Sequence, residues 1–150
     1  MATEAVPGIE ELTRAECLHL LAGVPTGWLV YNTPLRPRMV MVNVALRGEE
    51  VLVRTGPGEA KLAADNGLVM IIGVSSTDEV TRTGWSVTVT GTGRLLEPVV
   101  ATEAGTTTPP PWAPGRKNHV LAVPAEDITG RRITSGAALG ADEASWVWWG

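Results

Sequence analysis

Residues 84–96 carry the most restrictive pattern in the chain: Trp85, Val87, Val89, Gly91, Gly93 and Leu95 alternate with Ser86, Thr88, Thr90, Thr92 and Arg94. A period of two fits an extended strand whose faces differ, one turned to a core and one to water. Glycine inside such a strand marks a bulge, a barrel corner or the close approach of another backbone. Glycines at 91 and 93 therefore predict a coiled sheet. Valine, threonine and glycine are abundant along the chain, as β structure prefers, and 150 residues are enough for one domain with its own core. The expectation is a single, mainly β domain over 1–150, with a loose arm at 1–9 and a tryptophan-rich tail at 134–150.

Other segments join this strand. Thr13 and Glu16 form a capping box, and Cys17, Leu18, Leu20 and Leu21 follow at helical spacing, so 12–22 reads as a short amphipathic helix ended at Gly23. Residues 27–33 read as a strand stopped by Pro34 and Pro37. Residues 39–46 alternate again, which places Asn43 on one face with Met39 and Met41. The turn at Arg47-Gly48-Glu49-Glu50 returns the chain through 51–55. Two helical turns fit 59–65, and the continuous apolar run 68–74 suits a strand buried on both faces. Two further strands are expected at 119–123 and 128–133.

Several function classes drop out on charge and composition. A net charge of −4 without a Lys/Arg cluster argues against an extended nucleic-acid surface. The single Cys17 rules out an intrachain disulfide framework and a cysteine zinc site, and His19 beside it has no converging ligands, so no metal is expected. No apolar run approaches the roughly 20 residues of a membrane helix. The first residues do not read as a signal peptide, so a reducing cytoplasm is the expected setting.

Chemistry concentrates at 54–61, R-T-G-P-G-E-A-K. Arg54 and Thr55 end a β-branched run, Gly56-Pro57-Gly58 turns the chain, and Lys61 lies one turn into a helix. A guanidinium fork, an ammonium, a hydroxyl and the free N–H groups of a helix start together suit a small anion, and a phosphate fits the set. Taken alone, the segment also reads as a strand, a turn and two solvated cations.

Its company favours the first reading. With L-x-x-x-E-C-L-x-L-L-A upstream, P-R-x-V-M-V-N-V before it, G-W-S-V-T-V-T-G after it, and P-P-P-W-A-P-G, His119 and I-T-G-R-R further on, the chain resembles the pyridoxamine 5′-phosphate oxidase-like family of FMN-binding split barrels over 12–132. The resemblance implies a six-stranded split β-barrel, a homodimer, and FMN held between subunits. It implies that Arg54, Thr55 and Lys61 neutralise the 5′-phosphate, that Asn43 and Val44 lie beside the ring, that Trp85 and Ser86 bound the ring and its ribityl tail, and that Trp112 reaches the cofactor. Each has a plainer alternative: Asn43 satisfied by backbone, Trp85 filling core, Trp112 anchoring a loop on its own subunit. Where relatives carry an aromatic and an acidic residue, this chain has Gly73-Val74-Ser75-Ser76.

The activity so implied is flavin-mediated hydride transfer to or from a small molecule, with the flavin supplying the redox chemistry. No Ser/His/Asp or paired-carboxylate arrangement stands out, so no catalytic residue is named. True pyridoxamine phosphate oxidases carry a basic substrate-phosphate site and an arginine-containing C-terminal segment. Here Trp146, Trp148 and Trp149 stand at the C-terminus, which favours a hydrophobic or aromatic substrate. Three tryptophans in four residues call for burial, against a partner subunit or over the cleft. The rival readings are a deazaflavin (F420)-dependent reductase and a non-catalytic flavin or haem binder.

Overall fold

The computed structural model describes residues 8–96 and 119–134. Trp112 and the tail tryptophans lie outside them. Thr13 caps α1 (Arg14–Ala22) with the expected capping box, its hydroxyl accepting from the Glu16 N–H. The strands are β1 (Ile9–Glu11), β2 (Thr26–Asn32), β3 (Pro37–Arg47), β4 (Glu50–Thr55), β5 (Val69–Asp78), β6 (Thr83–Thr92), β7 (Arg94–Leu95), β8 (His119–Pro124) and β9 (Asp127–Ile133), with α2 (Pro57–Asn66) between β4 and β5. Gly48 takes φ +61 in the β3–β4 hairpin, at the position where a two-residue turn needs a residue free of Cβ. Pro57 at the first position of α2 starts that helix two residues before the expected boundary.

All nine strands form one antiparallel sheet in the order β1-β9-β6-β5-β2-β3-β4-β8-β7. The sheet coils because β6 and β7 are one path bent at Gly93. Its first part lies between β5 and β9 and its last part pairs with β8. The Gly93 N–H donates to the Leu68 carbonyl at 2.8 Å and the Leu96 N–H to the Val120 carbonyl at 3.0 Å, fastening the bend. Gly91 passes so close to Pro124 that a Cβ would overlap its carbonyl oxygen. This is the backbone approach that the glycine pattern foretold. Among the described residues the curled sheet has nine strands, short edge pieces included, where the resemblance implies a six-stranded barrel, and Ile9, expected in a loose arm, belongs to the edge strand β1 paired with Ile133.

Inside the curl lie Leu29, Val42, Val44, Val51, Val53, Met70, Ile72, Val87, Val89, Leu121 and Val123. Helix α1 adds Cys17 and Leu21 to this cluster, and α2 adds Ala60 and Ala63. Cys17 packs on β9 at Gly130, where a Cβ would come within 2.6 Å of its sulfur. Burial, with the Glu16 charge as a lesser cause, pushes the Cys17 thiol up.

The outer face differs from expectation in one respect. The run 68–74 does not hide both faces: Met70, Ile72 and Val74 are buried, but Val69 is 59% exposed and Ile71 37%. They adjoin Trp28, Met39 and Met41 through the registers Val30↔Ile71, Val30↔Met39 and Trp28↔Met41, which makes an exposed apolar face across β3, β2 and β5.

Candidate functional site

Strand β4 ends at Arg54 and Thr55, Gly56 caps α2, and Lys61 is its fifth residue. Alternation sends Arg54 and Thr55 to opposite faces. Arg54 sits on the outer face, directly across from Asn43, which in turn lies across from Thr26. Asn43 is 6% exposed even though its face-mates Met39 and Met41 are open, so it is held in place among its neighbours. Thr55 points inward and is 2% exposed, and its Oγ1 is buried without a hydrogen-bond partner. Lys61 is exposed on the helix. No side chain caps the α2 N-terminus.

The corner therefore offers a guanidinium, an ammonium, an unsatisfied hydroxyl and a helix start with uncapped amides. A buried polar atom without a partner calls for an explanation, and helix N-termini attract anions. By type these donors suit phosphoryl oxygens, while Arg54 and Thr55 leave opposite faces of β4.

The other expected residues lie elsewhere. Val44 is 3% exposed within the core, and its N–H already donates to the Pro25 carbonyl at 3.0 Å. It offers the outer face no side chain, because Asn43 takes the outward position of that pair. Trp85 turns inward and packs half-buried against the core, which is the plainer of its two readings, although it also rims a trough on the far side of the sheet. Ser86 lies in that trough, which has a volume of about 670 Å³ and is floored by Ser75, Thr77, Ser86, Thr88, Thr129 and Arg131, with Ile9, Glu11 and Leu12 at its edge. The registers Ser75↔Ser86 and Ser86↔Arg131 set these side chains on the same outer face as Arg54 and Asn43.

Within one chain the corner and the trough stay apart. The path from β4 to β6 crosses β3, β2 and β5, about 19 Å at the usual strand spacing. The exposed apolar face fills that interval. Sequence reasoning did not single out Arg131, Ser75 or Thr129, because which hydroxyls share a trough depends on pairing between strands distant in sequence. The outward parity of Ser86 and Thr88 was the available hint.

Among the described residues, no group of three or more His, Cys, Asp or Glu side chains could hold a metal ion. No helix among them is long and apolar enough to cross a membrane.

Comparison with known proteins agrees with this architecture. The family model described as pyridoxamine 5′-phosphate oxidase matches residues 13–132. The uncharacterized protein Rv0080 of Mycobacterium tuberculosis is 30% identical over 132 residues, 85% of this chain and 87% of its own. A candidate pyridoxamine 5′-phosphate oxidase from Corynebacterium glutamicum superposes with a TM-score of 0.71 at 22% identity, covering 86% of this chain and 96% of its own. The FAD binding protein of Mycobacterium smegmatis does so at 0.61 and 24% identity, covering 83% and 97%. The FAD and haem binding protein of the same organism reaches 0.66 at 16% identity, covering 91% and 79%. At these identities the superpositions speak for the fold, whereas the family match spans most of the chain. The curled sheet, its strand-to-helix corner and that match together make this chain a member of the pyridoxamine 5′-phosphate oxidase family.

Proposed function

We propose that this protein is a flavin-binding oxidoreductase that holds FMN by its phosphate at the 54–61 corner. The observation that supports this reading is the buried, partnerless Thr55 hydroxyl where β4 runs into α2, whose N-terminus no side chain caps; Arg54, its neighbour on the other face of the strand, and Lys61 on the helix are the cations proposed to meet the phosphate. Similar structures named for binding FAD support the cofactor class. Bound flavin would supply hydride chemistry. The chain's own part is to neutralise the phosphate, orient the ring and exclude water.

The separation of corner and trough argues for a homodimer. If two copies pack through the face bearing Trp28, Met39, Met41, Val69 and Ile71, about a twofold running along the strands between β2 and β5, strand order places Asn43 of one copy opposite Ser86 of the other. Arg54 then lies opposite Arg131. Each cleft would combine one copy's cationic corner with the other's hydroxyl-floored trough. The trough is more polar than a hydrophobic substrate requires, so the preference for an aromatic substrate rests on the tryptophans alone.

A second reading is supported by the same named relatives: a flavin carrier without turnover. Native purification followed by absorption spectroscopy and mass measurement of the released cofactor tests both. Flavin bands with NAD(P)H turnover are expected, colour without turnover favours the carrier, and colourless protein that takes up a deazaflavin moves the assignment to that cofactor. Arg54→Ala with Lys61→Ala should abolish cofactor retention in a folded protein. Unchanged retention refutes the phosphate corner.

A further inference from the structure

Among the described residues, most glycines inside β strands are accounted for by the chain itself. A Cβ on Gly27 would press on Val74 and on the Gly73 carbonyl, one on Gly84 on the Ser76 carbonyl, one on Gly91 on Pro124, and one on Gly130 on the Cys17 sulfur. Gly73 has no such cause. Its φ is not positive, and a Cβ built on it meets nothing within 4 Å. Glycine weakens a strand interior and gives up a side chain to pack, so one without an internal cause marks a place where something outside the chain approaches closely.

That place is a notch in the outer face. Gly73 looks outward from the middle of β5, directly between Trp28 of β2 and Thr88 of β6, with Ile71 and Ser75 before and after it on the same face. Trp28 is 45% exposed and protrudes beside the notch. A large apolar knob and a gap thus lie at one level, one strand apart. A twofold axis along the strands between β2 and β5 exchanges the two strands without sliding either, so it sets each copy's Trp28 over the other copy's Gly73. A twofold across the strands sets β2 over β2 and β5 over β5, and leaves knob and notch unmatched.

We propose that Gly73 is the socket for Trp28 of a second copy, and that this reciprocal pair fixes the axis about which two copies associate. The inference rests on the reading of the apolar face as a homodimer surface and names the contact that specifies it. A second copy suits the notch better than a small ligand, because the surrounding face is broad and uncharged at Trp28, Met39, Met41, Val69 and Ile71. The six strands from β4 to β9 span about 24 Å, and β2 runs about 23 Å along them. That projects to about 550 Å², enlarged by protruding side chains, against the roughly 800 Å² that each partner gives to a standard interface.

The test exchanges knob and notch between full-length chains. Gly73→Trp fills the socket, so its homodimer must seat indole against indole twice, and Trp28→Ala removes the knob and leaves both sockets empty. Each variant alone should self-associate at least about thirtyfold more weakly than the parent in sedimentation. In an equal mixture one chain supplies the knobs and the other the gaps at both contacts. Heterodimers, separated from homodimers by mass in native mass spectrometry, should therefore outnumber both homodimers together. Gly73→Leu takes the place of Gly73→Trp if that chain does not unfold cooperatively in urea. A parent that is monomeric refutes the homodimer and the socket with it. A dimeric parent whose association changes less than about twofold in both variants overturns the socket and leaves a homodimer formed elsewhere. Weakened homodimers without enrichment of the mixed pair overturn it too, since the two positions then do not meet. Loss of flavin retention in Gly73→Trp with the dimer intact assigns the notch to a ligand and has the same consequence.

Discussion

The closure of the sheet makes a quantitative prediction at two glycines two residues apart. Neither Gly91 nor Gly93 has positive φ, so alanine is acceptable to the backbone at both and only space decides. At Gly91 the added methyl would overlap the Pro124 carbonyl oxygen and sit 3.0 Å from its carbon, both backbone atoms of β8. Relief requires β6 and β8 to part, which strains the neighbouring Thr92 N–H bond to Glu126 at 3.3 Å and the Gly93 N–H bond to Leu68 at 2.8 Å. Overpacking of about 3 kcal/mol together with about 1 kcal/mol for a weakened hydrogen bond gives a loss near 4 kcal/mol for Gly91→Ala. At Gly93 the obstacle is the Met70 sulfur, 2.6 Å away, at the far end of a flexible side chain. That side chain can rotate within the core, so Gly93→Ala should cost about 1–2 kcal/mol. Gly58→Ala, with nothing near its added methyl and a place in α2, should stabilise by about 0.5 kcal/mol. Urea unfolding followed by tryptophan fluorescence, with unchanged m-values, measures all three. A Gly91→Ala loss below about 1 kcal/mol, or a Gly93→Ala loss exceeding it, refutes the account of barrel closure.

Glu50 accepts from Arg94 at 2.7 Å and Arg47 at 3.0 Å, tying the β3–β4 hairpin to β7. The Arg94 hydrogen bond first, and the Arg47 bond and both charges after it, hold its carboxyl below the usual range against the opposing effect of burial. A depressed folded pKa stabilises above the unfolded value and is lost as pH falls through the folded one, so Glu50→Gln should cost about 1 kcal/mol at pH 7 and progressively less below about pH 4, read from melting temperatures against pH. The Cys17 thiol, fully buried and pushed up, should react with a thiol reagent only as fast as the protein opens; rapid labelling under native conditions would contradict its placement. Trp28→Lys with Met41→Glu should leave the fold intact and convert the proposed dimer to monomer, measured by sedimentation, with flavin retention lost in parallel; a dimer that persists would place the interface elsewhere.

Much of the fold was legible because local chemistry and tertiary demand agree. The capping box at Thr13, the Gly48 turn and the alternation through 84–96 each act over a few residues, and each is found where the pattern put it. What escaped was long-range. Ile9 lies in a strand because Ile133, more than 120 residues later, offers it an open edge. The resemblance implies both Asn43 and Val44 beside the ring, but adjacent residues of a strand send their side chains opposite ways, and that of Val44 goes to the core. The strand-to-helix turn at 54–61 was legible through its glycines and proline. The contact of Glu59 with Tyr31 escaped, because the hydroxyl arrives from β2.

The run 68–74 states the same limit in another form. Its sequence asks for two buried faces, and the fold of one chain supplies one. Apolar residues on the far side line up by register with Trp28, Met39 and Met41, so the unmet demand is a property of a whole sheet face and not of one strand. That face separates a corner holding the cations from a trough holding the hydroxyls, and neither half alone encloses a nucleotide-sized ligand. A pattern in the sequence that overstates burial for one protomer then marks what the proposed second protomer would cover. The same surface that hides those side chains would bring the two halves of the cleft together, so association and cofactor binding should be lost by the same substitutions.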